Sequence, residues 1–117
     1  MKKKRILSGM RPTGKLHIGH YVGALENWVQ LQDKYESYHL IADYHVLTTD
    51  LNTDNVYNDT IDMLIDWLSA GLDYTKSPMF RQSQIKEHNE LFLIFSMLIT
   101  ALLFSVVHSK TQSLIIK

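Results

Sequence analysis

The sequence has no cysteine, only two prolines and five glycines in 117 residues, and no net charge, with 12 Lys and Arg against 12 Asp and Glu. Lack of cysteine excludes disulfides and thiolate metal sites, and fits a reducing, cytoplasmic setting. The charge balance excludes a global field that would draw in nucleic acid. Neither standard glycine fingerprint is present: there is no G-x-G-x-x-G and no G-x-x-x-x-G-K-[ST]. The basic start "KKKR" is followed by "ILSG", which breaks off after two apolar residues, so no signal-peptide core follows. These four charges read as a solubilising N-terminus rather than an RNA contact. With 45% hydrophobic and 21% charged residues, the apolar content suffices for one small core and no second domain.

What glycine there is gathers at one informative place. "PTGKLHIGHY", Pro12 to Tyr21, holds two glycines and two histidines. Before it, "RILS" (Arg5–Ser8) reads as a buried strand bounded by Gly9. After it, Val22, Leu25, Val29 and Gln32, with Trp28 beside them, mark one face of a helix over residues 18–34. A strand, a glycine turn and a helix in that order aim free N–H groups and the positive helix end at one point, which suits a phosphate. Gly14 lets the chain bend, and Gly19 lets a ligand lie against the first helical turn. His17 and His20 project on the same side and donate to phosphate oxygens. Two glycines alone fit an ordinary strand–helix connection equally well.

Further strands are expected over 38–43 and 79–82. A second helix is expected over 53–70, with apolar face Val56, Ile61, Leu64, Ile65 and Leu68, capped by Asn52 or Thr53 and ended by Gly71. A third helix begins near Glu87. Alternating strands and helices imply an α/β fold with a parallel sheet. Ligands in such folds bind beyond the carboxyl ends of the strands, where residues 9–14, 43–45 and 82–83 would converge.

The string "SGMRPTGKLHIGHYVGALENWVQLQ" (Ser8–Gln32) resembles the first motif of the tryptophanyl-tRNA synthetases, with His17–His20 as the HIGH signature of class I aminoacyl-tRNA synthetases. Tyrosyl counterparts lack its S-G-x-x-P-T-G lead and the G-A-L after Tyr21. "LIADYHVLTT" (Leu40–Thr49) is similar to the family's D-x-H-A-[LI]-T segment, with Val46 in place of alanine. "GLDYTKSPMFRQSQIKEHNELFLIFSML" (Gly71–Leu98) is similar to its G-[IL]-D-P…F-x-Q-S…H-x-E-L segment, with Lys86 where proline is common. The resemblance runs from about residue 7 to 100 and fails in "ALLFSVVHSKTQSLIIK".

The resemblance implies a partial Rossmann-like (HUP-type) catalytic domain: residues 1–100 as its N-terminal half, and 101–117 as a divergent tail of the kind a truncation or frameshift leaves. It implies a tryptophan–tRNA ligase, which activates L-tryptophan with ATP and Mg²⁺ and passes it to tRNA(Trp). Arg11, Pro12, Thr13, His17, Gly19 and His20 match the ATP-contacting set, with Thr13, His17 and His20 at the phosphates. Family enzymes usually carry glutamine at the position of Arg11 and often asparagine at that of His20. Leu7 and Gly9 match the tryptophan pocket. Asp43 and His45 are further candidates there, a buried structural Asp–His pair being the alternative. No protein-bound metal is implied, and a homodimer is. No KMSKS-like run, whose lysines would hold pyrophosphate, occurs in the sequence. A catalytically silent nucleotide-binding remnant is therefore the second reading.

The uncharged stretch Leu91–Val107 raises a third, a small membrane-associated protein. Its serines and threonine and the absence of a Trp or Tyr belt argue for a buried helix instead. With its covering half missing, this helix would drive association.

Overall fold

In the computed structural model, residues 3–49 and 51–98 are described. The chain divides into two compact units, residues 1–84 and 85–117. The core that the composition leads one to expect lies in the first. Strand β1 (Arg5–Met10) leads through a turn into α1 (Ile18–His20), a π-helical turn (Tyr21–Leu25) and α2 (Glu26–Leu31). Next come β2 (Glu36–Ile41), a 3-10 turn (Tyr44–Thr48), α3 (Val56–Ser69), β3 (Met79–Arg81) and a second 3-10 turn (Gln82–Gln84). The strands form a parallel sheet in the order β1-β2-β3, with Met10 opposite Ile41 and Ile41 opposite Arg81.

Gly9, expected to bound the first strand, lies inside it opposite Leu40. A Cβ there would sit 2.2 Å from the Leu40 carbonyl oxygen, so glycine lets the two strands meet. The first helix is not one regular run. Its π-helical turn widens the backbone spiral by one residue, which carries Val22 into solvent and leaves Leu25, Trp28 and Gln32 buried.

Alternation along β2 buries Ser37, His39 and Ile41 on one face. Against that face stand Trp28 from α2 and Trp67 from α3. Their rings meet edge to face at 5.3 Å, and both meet His39, Trp28 stacked at 4.5 Å and Trp67 edge-on at 6.1 Å. Leu25, Met63 and Leu72 complete the core. The His39 ring nitrogens are buried without hydrogen-bond partners, and burial lowers its pKa from 6.5 to about 4.

Two expectations for α3 are corrected. Thr60, Met63 and Trp67 are its buried residues, whereas Ile61, Ile65 and Leu68 face solvent. Trp67 outweighs them: the large ring takes the interior position and leaves Ile61, Ile65 and Leu68 on the outer side. The start is Asn55, with no side-chain cap; Asn52 instead accepts from the Asp54 N–H at 2.9 Å in a turn of its own. The end is as expected. Gly71, at φ +105°, donates to Leu68 and Leu72 donates to Trp67, which closes the helix in a Schellman motif.

The second unit is described as α4 (Lys86–Leu98). Its Leu91, Phe92, Leu93, Ile94, Phe95 and Met97 are all exposed, in line with the expectation of an apolar helix left uncovered. Among the described residues, no helix is long and apolar enough to cross a membrane. The remainder of the 91–107 stretch and the tail 101–117 lie outside the described residues.

Candidate functional site

The turn after β1 is held from several directions. Ala42 donates its N–H to the Met10 carbonyl at 2.8 Å, Thr13 donates to Arg11 at 3.0 Å, and Pro12 is fully buried. Gly14 adopts φ +99°, a left-handed conformation in which a side chain would be strained. Two residues on, the Leu16 N–H donates to Asp66 of α3 at 3.2 Å and fixes the entry to the helix.

His17 caps that helix, and its partner is His20. The His17 Nδ1 accepts from the Gly19 N–H at 3.1 Å, and the His20 Nδ1 accepts from the His17 N–H at 3.3 Å. Each imidazole thus takes the place of a side-chain oxygen in a reciprocal capping box. The rings lie 3.9 Å apart, centroid to centroid. A nitrogen that accepts carries no proton, so in each neutral ring the proton is on Nε2. The turn therefore presents two neighbouring N–H donors at the start of a helix. Gly19 acquires a role that the sequence did not reveal: a Cβ there would stand 2.8 Å from the His17 ring, so the glycine makes room for the capping imidazole.

The strand ends converge as the topology requires. Arg11 donates from Nη1 to the Thr48 hydroxyl at 3.4 Å, and Thr48 donates to the His45 carbonyl at 2.7 Å. Asp43 and His45 do not form the buried pair that was the structural alternative. Asp43 accepts from the N–H groups of Tyr44 and Ser83 and from the Ser83 hydroxyl. His45 is exposed, with Nδ1 2.9 Å from Gln82 Oε1. Each residue ties the end of β2 to that of β3. Leu7 stands apart on β1, 63% exposed.

Two concave regions flank the turn. One, of about 300 Å³, is lined by Pro12 and Thr13 with Thr49, Asn52, Asn55 and Asp59. The other, of about 370 Å³, is lined by His17 with Ile18, Tyr21, Asp66 and Ser69. The candidate ATP residues are thus divided between the two sides of the turn. Thr49, Asn55 and Asp59 were missed from the sequence because nothing in "TDLNTDNVYND" marks a wall.

Residues 1–112 match the family model of class I tRNA synthetases for tryptophan and tyrosine (W and Y). The chain belongs to this family. Among the synthetase relatives, the tryptophan–tRNA ligase of Aquifex aeolicus is 55% identical over 95 residues, covering 80% of this chain and 24% of that protein. The Thermotoga maritima ligase is 53% identical over 98 residues, 82% of this chain and 30% of its own length. A crystal structure of the Campylobacter jejuni tryptophanyl-tRNA synthetase, complexed with ADP and tryptophan, superposes with a TM-score of 0.79 at 34% identity, over 94% of this chain and 34% of that one. The Mycoplasma pneumoniae enzyme gives 0.75 at 28% identity, over 84% and 28%. This chain thus spans about a quarter to a third of the length of these synthetases. Its sheet is the Rossmann-like parallel sheet of the class I fold.

Proposed function

We propose that the chain carries the ATP-binding turn and part of the amino-acid pocket of a tryptophan–tRNA ligase. In the reaction of such a ligase the tryptophan carboxylate attacks the α-phosphorus of ATP and pyrophosphate leaves. The acyl group then passes to a ribose hydroxyl of tRNA(Trp). No covalent enzyme intermediate forms, so positioning and charge stabilisation are what the protein supplies. The observation that carries the reading is the adjacent, tilted pair His17 and His20, both with Nε2–H free to donate. Phosphate oxygens accept from these donors, and Thr13 and Arg11 add a hydroxyl and a fixed positive charge. Pro12 and Gly19 shape the turn, with Mg²⁺ arriving on the nucleotide. On this reading Leu7, Gly9, Asp43 and His45 belong to the tryptophan side. The cytoplasm and a homodimer are the setting the family suggests.

Calorimetric titration with ATP and Mg²⁺ tests the proposal, with the double variant His17→Ala, His20→Ala as comparison. Binding to the parent chain and a loss of at least tenfold in the variant are expected; equal heats refute the site. The 117 residues contain no KMSKS-like lysines, and losing one pre-organised charge stabiliser typically costs about a hundredfold in rate. The chain on its own is therefore expected to bind nucleotide without catalysing tryptophan-dependent pyrophosphate exchange.

A further inference from the structure

Part of the apolar stripe on α3 does not simply face solvent. Tyr57, Ile61 and Leu64 follow one another at helical spacing and line a cavity of about 240 Å³ together with Met79, Phe80 and Arg81 of β3. This cavity shares no lining residue with the two concave regions beside the glycine turn. Met79 packs against the core, and strand alternation places Arg81 on the same side, opposite the buried Ile41. Arg81 is half-buried, and among the described residues it makes no hydrogen bond or ion pair. The other two arginines do: Arg5 pairs with Glu36, and Arg11 reaches Thr48. Among the described residues no carboxylate lines the cavity, and the Thr60 hydroxyl there already donates to the Val56 carbonyl at 2.7 Å.

We propose that this cavity binds a small organic carboxylate with a compact apolar body, its charge held by Arg81 and its body by Tyr57, Ile61 and Leu64. A guanidinium partly withdrawn from water without a counter-charge is unfavourable, and so is apolar surface left in water. A carboxylate on an apolar body relieves both. Its two oxygens match the guanidinium fork, and its body displaces water from the apolar wall. Phosphate is a poorer match, since a doubly charged and strongly hydrated group would meet a single cation among apolar side chains. Size narrows the class further. Small-molecule pockets usually measure roughly 300–1,000 Å³, so a cavity of about 240 Å³ suits one ring or a branched aliphatic chain and not a nucleotide. Arg81 is the last residue of β3, and sheets of this type take ligands at their carboxyl ends. The site draws on no residue of the nucleotide turn and stands apart from the ligase reading.

Titration of the full chain with 3-phenylpropionate, followed in carbon-13 methyl spectra and at the Arg81 Nε–H, tests the site. Saturable shifts of the Ile61 and Leu64 methyl groups and of Arg81 are expected. The amide 3-phenylpropionamide, of the same shape without the charge, should bind about tenfold more weakly. Arg81→Gln should bring acid and amide to equal affinity, and Arg81→Lys, which keeps the charge and loses the fork, should fall between. The double variant His17→Ala, His20→Ala should bind as the parent does; loss of binding there would place the ligand at the glycine turn and overturn the cavity. No saturable shift in the parent, equal affinity for acid and amide, or an Arg81→Gln variant that keeps the parent's preference also overturns the proposal. Inorganic phosphate that binds more tightly than 3-phenylpropionate overturns the carboxylate class. Should Arg81→Gln fail to fold, the comparison of acid and amide on the parent decides by itself.

Discussion

Acid should loosen this protein through a single side chain. His39 is 1% exposed between Trp28 and Trp67, and its ring nitrogens lack partners that could stabilise a cation. Its folded pKa is about 4, against 6.5 for the ordinary side chain. Below pH 6.5 the unfolded chain takes up a proton that the folded core refuses until about pH 4, so stability falls across that window. A pKa difference of this size is worth about 2 kcal/mol at pH 5 and about 3 kcal/mol at its limit. Set against a usual total of roughly 5–15 kcal/mol, that is a large fraction. Asp33 and Asp73 act elsewhere on the scale. Lys76, through a hydrogen bond and its charge, lowers the pKa of Asp33, and hydrogen bonds from Thr75 lower that of Asp73. Their contribution is present above the ordinary carboxylate pKa and is lost only below it. Urea unfolding followed by tryptophan fluorescence from pH 7.5 to 4.5 is the assay, and the midpoint should fall by about 1 M between pH 7 and pH 5. His39→Phe, which keeps an aromatic ring in the stack and removes the proton, should flatten that dependence. A variant with the same slope as the parent, or a parent with no slope, would falsify the assignment.

Other substitutions probe the remaining joints. Gly9→Ala places a methyl group against the Leu40 carbonyl and should abolish the folded far-ultraviolet circular dichroism spectrum, whereas Gly23→Ala, with nothing within 4 Å, should not. Trp67→Ala should cost about 3–5 kcal/mol, read from the same urea curves. Gly19→Ala should displace the His17 ring, leave helix content nearly unchanged and weaken ATP in titration calorimetry; unchanged affinity would show that the capping geometry does not matter for binding. The exposed apolar residues of α4 should make the mass from light scattering rise with concentration, and Phe92→Ser with Phe95→Ser should reduce that rise.

How far the sequence could be read depended on whether a signal was local. Gly14 and Gly71 stood out because a positive φ is a demand of the backbone at one position, and the strands because short apolar runs between breakers have few alternatives. The α3 face was misread because Ile61, Ile65 and Leu68 repeat as well as Thr60, Met63 and Trp67 do, and only the partner across the core selects between them. The π-helical turn leaves no mark on composition, so Val22 was assigned to the wrong side. At the candidate site, the histidine spacing indicated a shared side of the turn. Which nitrogen faces outward depends on hydrogen bonds to Gly19, to the His17 backbone and to Gln82, and the last of these is 37 residues away from His45.

Gln32 closes α2, and its buried amide accepts from the Asp73 N–H at 2.9 Å while donating to the Gly71 carbonyl at 3.1 Å. This fork is a staple between segments about 40 residues apart, made without charge or covalent bond. It does not titrate, and dissolved salt does not screen it. The joint between the C-terminal ends of α2 and α3 is therefore indifferent to the pH window in which His39 acts, and acid reaches the two helices through the ring stack and not through their ends.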